Sequence, residues 1–573
     1  MVLSRLLVLQ AVQAAFSASS NCAALEEEGT SSLLQHQDIR ELKKSALCRN
    51  LSDGVLDWLA ADGAPYSAKQ VAAVACNMAA NIFPNGTIIA SPSKGVEPVY
   101  TFPNGSAYLQ NDYYNMWQRD AGLTMRTLLR VAKSSPAVQD QLKTYTKMLV
   151  EKVWMQQDSP NKDCAPWNGA MGGYCSMYGE PKFFVNQAVF SGSWGRLQND
   201  GPAINTLVAM ELFGLPGVDP ALLKAAKEKI VEVLNWVGQT SEGSTIDPWE
   251  MLWGQHFFVQ SVQYRAMAAA ADLADKGVLT GRTGSFAAWA EMLAKLVEVH
   301  WKQDAGALTE TVARPLWPPV GPKCLSSGMD SATTYPVPVH QPCELDVATM
   351  IGSMVSKAPV DSSFAEVVPP YDSRLLATAD ALIQSMGPTY EVNRLDDEAG
   401  LPGVLLGRYP GDEYSGVIMS KGLEDPCVGF NCGNPWFLTT HALAETLYEA
   451  ASAFAKGELK VDGLNNPFVL RAVDLARPAS QRGQAVSLPV GEHAGPELAR
   501  MLLEAGDGVL LRAKHHATRG MHMSEQIYRG DGKYPGVEPG AQFGVRDLTW
   551  SYASLLDALA SRSSAYAAIQ KAR

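Results

Sequence analysis

The chain has 573 residues, 46% hydrophobic and 18% charged, with a formal net charge of -12 and a pI near 5.3. That is enough apolar material for a large core, and too little charge for long disordered tails. The acidic balance argues against nucleic acid and against an anionic membrane as main partners.

In chain order, the first twenty residues, MVLSRLLVLQAVQAAFSASS, read as a signal peptide. Arg5 opens an apolar run from Leu6 to Ala15, and small residues follow at Ser17 to Ser20. The run is too short to span a bilayer, so no membrane association is expected. The destination is outside the cell, or a vacuole or lysosome reached by the secretory route. Glycosylation triplets start at Asn50, Asn85 and Asn104. The nine cysteines suit an oxidising compartment. The pairs available for bridges are Cys48 with Cys76, Cys164 with Cys175, Cys324 with Cys343 and Cys427 with Cys432, which leaves Cys22 over.

Ser135 and Pro136 read as cap and first residue of a helix with Leu142, Tyr145, Leu149 and Val153 on one face. Asp219 and Pro220 repeat the device before Leu223, Ala226, Ile230 and Leu234. Further helices are expected through Phe286, Trp289, Leu293, Leu296 and Val297, through HALAETLYEAASAF and through DLTWSYASLLDALA. Long loops rich in Gly, Pro and aromatic residues separate them, and alternating β patterns are scarce. The fold class is therefore all-α with functional loops. Residues around 305–345 read as an insertion or long loop.

The chain lacks the P-loop, the zincin HExxH, the GxSxG serine elbow and any CxxC. His515, His516 and His522 read as packing or solvated residues. No metal site and no cofactor are expected. What remains is a series of loops mixing acids, arginines and aromatic rings: YYNMWQRDAGL with Tyr113, Trp117, Arg119 and Asp120; SGSWGRLQNDGPA with Trp194 and Arg196; IDPWEM with Asp247, Trp249 and Glu250; GRYPGDEYSG with Arg408 and Asp412; GNPWFLTT with Trp436; and MHMSEQIY with Glu525 and Gln526. Each precedes a helix-like run. Sugar rings stack on aromatic faces, their hydroxyls suit Arg and Asp, and cleaving a glycosidic bond takes two carboxyl groups.

In type and order these stretches resemble glycoside hydrolase family 15, the glucoamylases, and most closely its fungal members, over roughly residues 90 to 560. The resemblance implies an (α/α)6 barrel with the site in loops at one end. It implies residues 21–70 as an N-terminal segment and 71–573 as the catalytic domain, and a monomer acting on α-glucan. It implies an inverting mechanism with Glu250 as general acid and Glu525 as general base. Arg119, Asp120 and Arg408 would hold the terminal glucose. Tyr113, Trp117, Trp194, Trp249, Trp436 and Gln526 would line its subsite, and Asp247 would support the acid loop or the leaving sugar. Trp249 and neighbouring rings are expected to keep Glu250 in apolar surroundings and so protonated. Glu525 is expected in wetter, better hydrogen-bonded surroundings.

Three departures from the fungal pattern stand out. Met251 occupies the place of a second acid, a segment spanning VIMSKGLEDPCVGFNC is inserted with Cys427 and Cys432 able to tie it over the pocket, and Gly544 replaces a serine near the base. No Ser/Thr-rich linker or starch-binding domain follows, so action on raw granules is expected to be weak. Trehalase or glucodextranase action in the same barrel, and a non-catalytic carbohydrate-binding barrel, are the alternatives.

Overall fold

The computed structural model describes residues 46–155, 177–192, 194–312, 325–326, 345–427, 432–484, 488–489 and 494–572. The expected signal peptide, Cys22, the Cys164–Cys175 and Cys324–Cys343 pairs and most of the 305–345 loop lie outside them.

Twelve helices alternate along the described chain between two layers. In order they are α1 (Ala68–Ala79), α2 (Gln118–Ala132), α3 (Pro136–Glu151), α4 (Asp200–Met210), α5 (Pro220–Thr240), α6 (Phe257–Asp275), α7 (Phe286–Glu298), α8 (Ala348–Val355), α9 (Ser373–Met386), α10 (Phe437–Lys456), α11 (Ala494–His516) and α12 (Thr549–Ala572). The even-numbered helices form a ring. α2 packs on α4, α4 on α6, α6 on α8, α8 on α10, α10 on α12, and α12 closes back on α2. The odd-numbered helices lie outside that ring. α5 packs on α4 and α6, α7 on α6, α9 on α8, α11 on α10, and α1 on α12. This is the (α/α)6 barrel.

The residue pattern explains the layering. A helix surrounded by helices must be apolar or satisfied all round. Every residue of α10 from Phe437 to Phe454 is buried, as is every residue of α6 from Phe257 to Ala268. The outer helices bury one stripe. In α5 it is Ala226, Ile230, Leu234 and their neighbours, with Leu223 half-buried. The expected start signals hold their positions. The Asp219 carboxylate accepts the Ala221 N–H at 2.9 Å, and Pro220 opens the helix. Ser135 caps α3 by position only, because its hydroxyl donates to Asn50 Oδ1 instead of receiving a helix N–H.

Cys48 bridges to Cys76 and Cys427 to Cys432. Val417–Met419, in the inserted segment, adds to the edge of Ala107–Gln110, with Val417 opposite Gln110 and Met419 opposite Tyr108. Its disulfide packs into a satellite cluster with Tyr108, Tyr528, Tyr534 and Phe543. His516 is a packing histidine, held by Asp396 and the Gly540 carbonyl at 2.9 Å each. Among the described residues there is no metal-binding cluster and no helix long and apolar enough to cross a membrane.

The barrel positions the site through its inner helices. Arg119 and Asp120 lie in the first turn of α2, and Asp200 opens α4. Glu250 precedes α6, Asp346 precedes α8, Trp436 caps α10, and Glu525 lies on the loop before α12. Six helix N-termini thus face the same loops. Each carries partial positive charge, which favours carboxylates there.

Candidate active site

Glu250 sits at φ +64°, in the left-handed region that a side chain with a Cβ rarely adopts. Asp247 holds this turn. Its Oδ1 accepts the backbone N–H groups of Met251 (2.7 Å) and Leu252 (2.5 Å), and its Oδ2 accepts that of Trp249 (3.2 Å). Strain of roughly 1–3 kcal/mol at such a residue persists only where the surroundings over-determine it. The effect is to send consecutive side chains in opposite directions.

The Glu250 carboxyl reaches into a nest of donors. Its Oε1 accepts Trp117 Nε1–H at 2.8 Å, Trp194 Nε1–H at 2.9 Å and Gln198 Nε2–H at 2.7 Å. Arg119 Nη2 lies 3.7 Å from the same oxygen. A proton carried by this group therefore belongs on Oε2. Trp249 does something different from the role expected of it. Its Nε1 donates to both Asp346 oxygens at 2.9 Å, and its ring packs on Trp436 and Trp550. It is a pillar under the loop and not a cover over Glu250.

Glu525 is enclosed. The residue is 1% exposed, whereas the Glu250 side chain is 19% exposed. Burial pushes the Glu525 carboxyl up to about 8, against the Arg408 charge and hydrogen bonds from Tyr113, Gln526 and Tyr414. The expected contrast of surroundings is thus reversed, with the proposed acid in the polar nest and the proposed base in the dry one. Gln526 stands behind it, fully buried, donating to Glu525 Oε2 at 3.1 Å and accepting from Asn434 at 2.7 Å. Its amide is committed to the base and not to a ligand. Gly544, at φ +70°, allows the approach, since a Cβ there would lie 2.5 Å from Glu525 Oε2.

Tyr113 links the two acids. Burial raises its phenol well above the usual range, and the charges of Glu525 and Glu250 both push in the same direction. Its hydroxyl meets that of Tyr414 at 2.9 Å, and Tyr414 lies 3.5 Å from both Glu525 oxygens. Phenolic donors stabilise the ionised carboxylate. Tyr113→Phe is therefore expected to move the acidic limb of kcat/KM, where the base must lose its proton, upward by about half a pH unit or more. A limb that stays in place would separate Tyr113 from the base.

Two arginine systems frame the pocket. Arg119 Nη1 bonds to Asp200 Oδ2 (2.8 Å) and Gln198 Oε1 (2.9 Å), and its Nε lies 4.0 Å from Asp120. Burial pushes the Asp120 carboxyl up to about 6, against the Arg119 charge. Arg408 forms a fork with Asp412, Nε to Oδ2 at 2.9 Å and Nη2 to Oδ1 at 2.7 Å. Its guanidinium lies 4.8–5.7 Å from the ring centroids of Tyr414, Trp436, Tyr409 and Trp249. Met251 faces this group, its sulfur 2.8 Å from Tyr409 OH and 3.1 Å from Arg408 Nη2. Lysine cannot reproduce the fork or the stacking. Arg408→Lys should lower kcat/KM on maltoheptaose about a hundredfold, by leaving Asp412 half-paired in a buried site. A loss under about threefold would remove Arg408 from the binding machinery.

The structure brings all twelve sequence-derived site residues into this one region, as contacts, pillars or supports. It adds Gln198, Asp200, Tyr414, Asn434 and Lys182. Gln198 lay within a quoted stretch but carried no signal of its own, because an amide beside aromatic residues is ordinary surface chemistry.

A model of the family described as glycosyl hydrolases family 15 matches residues 69–560. A glucoamylase of Blastobotrys adeninivorans is 29% identical over 501 residues, covering 83% of this chain and 67% of that protein. Glucoamylase 1 of Rhizopus oryzae is 26% identical over 465 residues, covering 80% and 66%. The chain thus spans about two thirds of the length of these relatives. The structure of Hormoconis resinae glucoamylase superposes with a TM-score of 0.63 at 23% identity, covering 86% of this chain and 73% of that one, a likeness of fold. With a family match across most of its length, on a closed ring of six helices inside six, the chain belongs to glycoside hydrolase family 15.

Proposed function

We propose that the protein is an exo-acting, inverting α-glucan hydrolase that releases β-glucose from non-reducing ends, a glucan 1,4-α-glucosidase. The observation that carries this reading is the convergence of Glu250 and Glu525, from distant loops, on one aromatic pocket in which both carboxylates act on Tyr113. Family membership and the glucoamylase relatives supply the substrate class.

In this reading Glu250 gives its Oε2 proton to the glycosidic oxygen as the C1–O bond breaks. The charge left behind falls on a carboxylate already met by three N–H groups and by Arg119, so proton donation is assisted at the moment it occurs. Glu525 takes a proton from the water that attacks C1 on the opposite face. Burial makes its ionised form a strong base, and Gln526 and the two tyrosines aim it. Arg119, Asp120 and Arg408 hold hydroxyls of the terminal glucose, and Trp194 and Trp436 flank the rings. The positive charge developing on the sugar is met by both carboxyl groups.

One observation favours a second reading with the roles exchanged. Burial favours the protonated form of Glu525, whereas Glu250 Oε1 is the acceptor of three N–H groups. Glu525 would then donate and Glu250 would receive.

The test of the reaction class is the anomer released from maltoheptaose, followed by proton NMR. Initial β-glucose, with no maltose, supports inversion from the chain end. Initial α-glucose overturns it. The two disulfides fit passage through an oxidising compartment, and the proposed secretory route is checked by finding the mature N-terminus within about ten residues of Ser20.

A further inference from the structure

Lys182 is a buried cation of this region that the proposed mechanism leaves unused. It belongs to the short strand Lys182–Phe183, whose antiparallel register sets it opposite Trp117. The residue is 2% exposed. A buried ammonium ordinarily bonds a carboxylate or carbonyl oxygen. Here its contacts are aromatic faces, with Nζ 3.7 Å from the ring centroid of Trp194, 4.1 Å from that of Phe190 and 4.3 Å from that of Trp117.

Two of those rings are the ones whose N–H groups bind Glu250 Oε1. An indole presents its face and its N–H edge at right angles, so a cation fixed on the face sets the plane in which the N–H lies. Trp117 and Trp194 meet edge to face at 5.7 Å, and Phe190 closes on Trp194 at 5.9 Å. The attraction between a desolvated ammonium and these ring faces is at its strongest away from water. The compact ammonium touches all three rings at once.

We infer that Lys182 is a positioning residue for the general acid: its ammonium, clamped between Trp117 and Trp194, fixes the two indoles that hold Glu250 Oε1 and so sets the direction in which Oε2 delivers its proton. This rests on the reading of Glu250 as the acid. The charged groups that face Lys182 are Glu250 and Asp112, which favour the ammonium, and Arg196, which opposes it. Burial pushes the ammonium down to about 8, so the clamp is charged below that pH.

The test compares maltoheptaose with α-glucosyl fluoride, whose leaving group departs without a proton and so does not need the acid. Lys182→Met should lose about tenfold or more in kcat on maltoheptaose, and less than about threefold on the fluoride. Lys182→Arg, which keeps the cation, should recover part of that loss. In the wild type the maltoheptaose-to-fluoride ratio should fall as the pH passes about 8, and in Lys182→Arg the fall should come at higher pH. Equal losses on both substrates, or no loss, in Lys182→Met would overturn the inference. So would identical ratio–pH curves for wild type and Lys182→Arg, a comparison that stands if Lys182→Met does not fold. Glu250→Gln is the reference. If it too loses both substrates equally, the role of Glu250 fails, whatever Lys182 does.

Discussion

Glu525→Gln should abolish turnover and stabilise the protein at the same time. The amide cannot take a proton from water, so kcat on maltoheptaose should fall by about 10²–10⁴-fold, the usual weight of a general base. The stability gain follows from burial. The folded protein holds the Glu525 proton up to about pH 8, while the unfolded chain releases it near the ordinary value of about 4.3. Below that ordinary value both states are protonated and nothing is lost. As the pH rises toward 8 the unfolded state ionises first, and the wild type loses stability progressively, on the order of a few kcal/mol. Glutamine carries no such charge. Thermal melts of the two proteins should therefore nearly coincide at pH 4 and separate by pH 8, with the variant higher. Coincident melts at pH 8 would mean that water reaches Glu525 freely.

Glu250→Gln should be as damaging to turnover. Its Oε1 is an acceptor for three N–H groups, and an amide oxygen can still accept them, though without charge assistance. A loss of about 10²–10⁴-fold on maltoheptaose is expected. An amide flipped to present its NH2 group to the indoles would destabilise the loop, so Glu250→Ala serves as the comparison. If both variants keep more than about a tenth of wild-type turnover, Glu250 is not a catalytic residue.

The sequence carried the barrel's periodicity well, because helix faces are local. The cap at Asp219 and the stripe of α5 needed only three- and four-residue spacing. The closure of α12 onto α2 is non-local, and only the family resemblance supplied it. The site residues were legible where charge and aromaticity stood together, as in YYNMWQRD and IDPWEM. Their surroundings were not. Trp249 is adjacent to Glu250 in sequence, yet the left-handed turn at Glu250 parts the two side chains. Trp249 reaches down to Asp346, and Glu250 reaches across to Trp117 at the start of α2. Solvation of an acid depends on neighbours in space, so its expected apolar cover proved to be a nest of donors. Gln198 and Tyr414 escaped notice because each acts by where its single polar group points, which composition does not encode. Gly544 was noticed as a departure, but its meaning required the 2.5 Å between its missing Cβ and Glu525.

The division of labour between the two carboxyl groups is the centre of this account, and one measurement reaches it directly: hydrolysis of α-glucosyl fluoride by Glu250→Gln and Glu525→Gln. A variant lacking only the acid should still hydrolyse the fluoride, because fluoride leaves without a proton, while a variant lacking the base should fail on every substrate. Fluoride activity within about tenfold of wild type is expected for Glu250→Gln, and a loss of about a hundredfold or more for Glu525→Gln. The opposite pattern, with Glu525→Gln active on the fluoride and Glu250→Gln inactive, would contradict it and assign the acid to Glu525.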